Sequence, residues 1–263
     1  MSKRLVIVAF LAASLIPAPG WAASDPGHPW DKAIAVVHAT EADIPKGGFR
    51  AIQPHVADLE AALAGASQAY QAEDTGSGPI YRLTDGPRES LLAMLKAAAD
   101  SKKSGRNAIA VENPYPRASY YLGAYYNEIG QPADALRVLN AGLALPTVEG
   151  AKAGEFQPLL ITEKAAAYAG MKRWQDAFNT YNDGAQIKGL DARNLARMLR
   201  GRGAALTELG RLDEAEKSYR DSLVAEPNNQ LAQRELVYIQ RLRSGGPGRP
   251  AGLVTPNKPP GQP

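Results

Sequence analysis

The chain has 263 residues, a formal net charge of +3 and no cysteine. The missing cysteine excludes disulfides, thiolate zinc sites, cysteine nucleophiles and a lipid-modified cysteine. The small charge gives a nucleic-acid partner no support.

The chain opens on MSKRLVIVAFLAASLIPAPGWAA. Lys3 and Arg4 precede an apolar run from Leu5 to Ile16, and Pro17, Pro19 and Gly20 break it. Small residues at Gly20 and Ala22 place a cut before Ala23. This is the three-part pattern of a secretory signal peptide, predicted over 1–22. The run is too short to span a bilayer core of roughly 30 Å as a helix. An uncleaved amphipathic anchor is the alternative reading. Removing Lys3 and Arg4 leaves 28 cations against 27 anions, so the net charge falls to +1. The expected location is outside the cytoplasm, in a Gram-negative cell the periplasm, with no stable membrane span after cleavage.

Residues 23–112 are predicted to be a mostly helical region. In AIQPHVADLEAALAGASQAYQAED, Ile52, Val56, Leu59, Leu63, Ala66 and Tyr70 recur at 4, 3, 4, 3, 4, the spacing of an amphipathic helix about five turns long. PRESLLAMLKAAADSKK predicts a second helix, with Pro87 in its first turn and Leu91, Leu92, Met94, Leu95 and Ala98 as its buried side. Gly105 should end it. PIYRLT and AIAVEN read as short extended segments able to pair. The region is either a degenerate helical repeat or a separate docking subdomain.

Three later segments share one code. SYYLGAYYNEIGQPADALRVLNAGLALP offers Leu122, Gly123, Tyr126, Gly130, Ala135, Leu139, Gly142 and Pro146. ITEKAAAYAGMKRWQDAFNTYNDGAQI offers Ala165, Tyr168, Gly170, Trp174, Ala177, Tyr181 and Gly184. GRGAALTELGRLDEAEKSYRDSLVAEP offers Gly203, Leu206, Gly210, Leu212, Ala215, Tyr219, Ser222 and Pro227. In each, a small residue precedes the key alanine by 12, a large one follows it by 4, and a small one follows it by 7.

These residues resemble the tetratricopeptide repeat, a 34-residue helix–turn–helix unit. The third unit matches best and departs at Arg202, where an apolar residue is usual. Ala135, Ala177 and Ala215 stand 42 and 38 apart, so TVEGAKAGEF and KGLDARN are read as lengthened links. Unit two is expected to shift its turn glycine to Gly170. The small positions should let paired helices approach, with Gly203 set against Ala215 and Ser222.

The resemblance implies an all-α solenoid over 113–243. Its repeats fall at about 115–148, 156–189 and 194–227, with a capping helix at 229–243 started by Asn228 or Asn229. Residues 244–263, rich in proline and glycine, are predicted to be a disordered tail.

The resemblance also implies a concave groove lined by the first helix of each unit. The frame gives Arg117, Tyr120, Ala124 and Asn127, then Leu159, Thr162, Ala166 and Ala169, then Arg197, Arg200, Ala204 and Thr207. Of these, Arg117, Tyr120, Asn127, Thr162, Arg197, Arg200 and Thr207 are the expected partner contacts. Arg193, Arg197 and Arg200 share one face, and a solvated basic face weighs against their use as a carboxylate-binding strip. The family's lysine-and-asparagine clamp for a peptide carboxylate is missing, because Tyr120 and Ala124 occupy its positions.

No enzyme signature appears. The serines sit in no GxSxG frame, and Gly76–Gly78 lacks a phosphate-loop pattern. His38, Glu41, Asp43 and His55 can be drawn as a metal cluster, but without a two-ligand spacing on one helical face. No metal, catalytic residue or cofactor is expected. The reading is an exported scaffold that binds a protein or peptide, with a role in envelope complex assembly by analogy. The alternatives are a self-associating structural protein, its groove filled by 24–112 or by the tail, and an enzyme or ligand-binding module in 23–112 docked by the repeats.

Overall fold

A computed structural model describes residues 27–73, 76–85, 87–146 and 155–248. The predicted leader, most of the link TVEGAKAGEF and residues 249–263 of the predicted tail lie outside the described residues.

Helix α1 (Asp31–Gly47) leads through a 3-10 segment (Gly48–His55) into α2 (Val56–Gln71). The long helix expected from Ala51 therefore begins only at Val56. Pro54 has no N–H to donate, so the turn around it tightens to 3-10 geometry. Ile52 is still fully buried, which is why its spacing looked helical. Helix α1 escaped the sequence reading. Its buried positions are Ala33, Val37 and Thr40, of which only Val37 carries a strong apolar signal.

Strands β1 (Ile80–Thr84) and β2 (Ala108–Glu112) flank α3 (Pro87–Ser104). The two extended segments do pair, and they pair in parallel, Ile80 against Ala108 and Thr84 against Glu112. Parallel neighbours need a crossover, and α3 supplies it. Tyr81, Leu83, Ile109 and Val111 turn one face of the sheet to Trp30, Ala33, Ala66 and Tyr115. Helix α3 packs on the sheet and on no other element to a comparable extent. Leu91, Leu92, Met94 and Leu95, expected together with Ala98 as its buried side, are 60, 48, 54 and 62% exposed, and Ala98 is exposed too. A two-strand sheet covers only one side of a helix, so the apolar positions of the opposite side stay open.

Helices α4 (Tyr115–Glu128) and α5 (Pro132–Leu143), α6 (Gln157–Gly170) and α7 (Trp174–Ala185), and α8 (Ala192–Glu208) and α9 (Leu212–Ala225) form three hairpins. Each packs on the next through its second helix, and α10 (Gln230–Arg243) closes the stack against α9. Asn229 caps α10 by accepting the Ala232 N–H at 3.0 Å. Arg243 ties this last helix back to Asp213 at 2.5 Å and to Glu216.

The small-residue code works differently from the expected small-on-small contact. The space that a Cβ on Gly203 would need is filled by the Tyr219 ring, whose nearest atom would lie at 2.9 Å. Gly123 stands in the same relation to Leu139, and Gly142 to Ser119. Gly203 and Gly123 thus each seat a large side chain from the paired helix, Gly142 seats the small Ser119, and the alanines Ala135, Ala177 and Ala215 are fully buried beside these contacts.

The hairpin turns repeat closely. Gln131, Arg173 and Arg211 donate backbone N–H bonds to Tyr126, Tyr168 and Leu206, at 2.8, 2.9 and 2.9 Å. Each turn has one left-handed residue: Gly130 (φ 78), Lys172 (φ 58) and Gly210 (φ 74). Unit two has not shifted its turn. Gly170 ends α6, and Lys172 takes the left-handed position that glycine takes elsewhere.

The N-terminal region is not a separate subdomain. Val37, Ile52 and Leu59 share one core with Ala118, Leu122, Leu139 and Leu160. Helices α1 and α2 therefore extend the stack as a leading hairpin, with the strand–helix–strand unit inserted behind α2.

Candidate functional site

Helices α4, α6 and α8 pack side by side as one layer. Its first third is occupied by the protein itself. Arg117 reaches Glu41 of α1 at 3.3 Å, pairs with Glu112 of β2, and lies 5.4 Å over the Phe156 ring. Tyr120 meets Phe49 edge-on at 5.7 Å and Phe156 at 6.2 Å. Tyr121 donates its hydroxyl to Glu41 at 2.7 Å. Burial pushes both tyrosine hydroxyls above their ordinary range, so neither is an acid–base group near neutrality.

Farther along, Asn127 donates to the Glu163 backbone carbonyl at 3.0 Å and to its carboxylate at 2.9 Å. Burial holds the Glu163 carboxyl above the usual range, against the bond from Asn127 and the nearby Arg197 charge. Thr162 is buried and bonds back to Pro158 at 2.8 Å; Thr207 does the same to Gly203 at 2.9 Å. Arg200 is paired with Glu226 at 2.5 Å. All seven expected contacts thus have internal partners.

Two cations differ. Arg197 is half-buried and bonded to Asn194 at 3.3 Å, and Arg193 is exposed. Neither pairs with a carboxylate within 4.0 Å among the described residues. The expected strip of three arginines therefore reduces to two. Leu159, Ala166, Ala169 and Ala204 fill the rest of the wall, all of them half-buried.

The cluster His38, Glu41, Asp43 and His55 does not assemble. His38 meets Glu112 at 3.0 Å, His55 meets Asp43 at 2.8 Å, and Glu41 serves Arg117 and Tyr121. No group of three metal-ligating side chains converges among the described residues. A second concavity of about 520 Å³ lies between α2 and the end of α5, lined by Leu63, Tyr70, Leu145, Pro146 and neighbours that carry no charge. It offers no acid–base pair. No helix among the described residues is long and apolar enough to cross a membrane.

Sequence reasoning missed the closure of the α4 wall. The signal lay in Glu41 and Phe49, but nothing local says that either reaches a helix some seventy residues away.

No family model matches the chain. It is 29% identical over 92 residues to heat shock protein STI1 of Saccharomyces cerevisiae, a match covering 35% of this chain and 15% of that protein. The solution structure of the first TPR domain of human RPAP3 overlays 50% of the chain and 94% of the domain, with 26% identity and a TM-score of 0.42.

Proposed function

We propose that this tetratricopeptide-repeat protein is an exported adaptor that binds an acidic, extended segment of another protein along the wall formed by α6 and α8. The carrying observation is that neither Arg193 nor Arg197 of α8 forms an ion pair within 4.0 Å among the described residues, although the Arg197 charge acts on the buried Glu163, while Arg117 and Arg200 are neutralised from within. A rigid stack of hairpins gives up little entropy on receiving a flexible chain. Guanidinium groups then fix carboxylates by paired N–H bonds, and the half-buried Leu159 and alanines take the intervening apolar side chains. No catalytic step is proposed, since the titratable groups of the wall serve packing and ion pairing.

Export rests on the leader pattern of residues 1–22, and a place in envelope assembly is proposed by analogy alone. Recovery of the protein from the envelope fraction with Ala23 at its start is the expected result, and an intact leader on the cytoplasmic protein refutes it.

The adaptor reading is tested by crosslinking in the protein's own cell and comparing wild type with Arg193→Glu/Arg197→Glu. The substituted chain should lose at least one partner while keeping its helical circular dichroism. An unchanged partner set overturns the basic wall. Arg200 is left out of the pair because its reversal would face Glu226.

A further inference from the structure

We infer, on the acidic-segment reading just given, that Glu163 of α6 selects the bound segment through a cation: it takes a lysine that stands two residues from the carboxylate held by Arg197.

Glu163 is a half-used acceptor. Only 9% of the residue is exposed, and its Oε2 accepts the Asn127 side-chain amide at 2.9 Å. Its Oε1 accepts no hydrogen bond among the described residues. Of the described side-chain polar atoms, only the Trp30 Nε1 is both unbonded and sealed from solvent. The Glu163 Oε1 is therefore unbonded and open, at a narrow mouth in an otherwise buried residue. Little water screens a charge in such a place, so a cation arriving there is held more firmly than at the surface.

No cation of the protein fills the mouth. Arg197 acts on Glu163 through its charge, yet forms no ion pair with it within 4.0 Å. Glu128, the other charge that acts on it, is itself a carboxylate and is paired with Arg50 at 3.3 Å. Glu163 and Arg197 both act on the hydroxyls of Tyr120 and Tyr181. Burial pushes those hydroxyls above their ordinary range, so neither ring supplies a charge. An unpaired carboxylate thus stands beside an unpaired guanidinium, with neutral rings next to both. A titratable group displaced by burial beside an unpaired charge marks a binding position.

The spacing sets the motif. Helices α6 and α8 are neighbours in their layer, and neighbouring helices pack about 8–10 Å apart. An extended segment turns residues i and i+2 to one side, about 6.7 Å apart, and sends i+1 to the other. A carboxylate at i and a lysine at i+2 therefore reach both helices, the long lysine stem making up the difference. Lysine suits the mouth better than arginine, because its ammonium is compact and the guanidinium is a broad fork. Leu159 and Ala166, one turn to either side of Glu163 and half-buried, offer the stem an apolar bed.

The test compares two short capped peptides by calorimetry on the full chain, one of Glu-Thr-Lys-Thr repeats and one of Glu-Thr-Gln-Thr repeats. The unsubstituted chain should bind the lysine peptide at least about tenfold tighter, the gain of one charge-assisted hydrogen bond. The net positive charge of the chain favours the glutamine peptide, so this preference cannot come from overall charge. Glu163→Gln, which keeps the shape, should bind the two peptides alike with unchanged circular dichroism. The glutamine peptide checks the acidic-segment reading separately: it should bind the unsubstituted chain and be lost with Arg193→Glu/Arg197→Glu. If it is not, that reading fails and the lysine motif falls with it. If it is, but the unsubstituted chain shows no lysine preference or Glu163→Gln retains one, the role of Glu163 alone is overturned.

Discussion

Gly201 of α8 lies against the Tyr181 ring of α7, close enough that no side chain fits between them. The ring is fully enclosed, and it fixes how the third hairpin seats on the second. Gly201→Val should therefore cost about 2–3 kcal/mol through overpacking, read as a lower urea midpoint. Gly65 in α2 is the contrast, because a Cβ there meets nothing within 4 Å. Gly65→Ala should stabilise by about 0.5–1 kcal/mol through helix propensity alone.

Lys172 holds a left-handed conformation that costs an ordinary residue roughly 1–2 kcal/mol. Lys172→Gly should relieve most of this and raise stability by about 1 kcal/mol net of the glycine's entropy. Gly210→Ala, at the matching turn, should lose about 1–2 kcal/mol. Thermal unfolding of the two variants should shift in opposite directions; equal shifts would remove the repeat relation between the turns.

The Glu163 carboxyl is held above its ordinary value by burial. In the unfolded chain it ionises at that ordinary value. Between the two, the native state binds more protons, so stability falls as pH rises through this window and stays lower above it. Asn127, Arg197 and the like charge of Glu128 are the groups that face it. Glu163→Gln keeps the shape without the charge. Its advantage over wild type in urea unfolding should grow as pH rises above the ordinary glutamate range. Parallel pH profiles would show that the carboxyl carries no such cost.

Arg200→Glu sets a like charge against Glu226, at a position only 15% exposed on the arginine side. The loss should be about 1–2 kcal/mol, above the roughly 0–1 kcal/mol of exposed pairs. Arg193→Glu should be nearly neutral in the same denaturation assay. If the two variants unfold alike, Arg200 is not a structural cation.

The repeats were legible because their code is local. Gly123, Ala135, Gly142 and their counterparts mark close approaches within one hairpin, at spacings that a single helix pair dictates. The N-terminal region was less so, since Trp30, Leu83, Val111 and Tyr115 form a core from four elements whose contacts are set by chain return. The exposed side of α3 could not be read at all. Periodicity reports that a helix has an apolar side, and only the surroundings decide whether anything covers it. The positions that the groove frame gives are engaged from within, and their partners Glu41, Phe49 and Glu226 come from distant segments.

Glu73 gives the small sheet a guarded rim. Its carbonyl accepts the Tyr81 amide and its carboxylate the Leu83 amide, both on the outer side of β1. A strand arriving on that side finds these two donors already taken, so one acidic residue protects the rim from unwanted pairing.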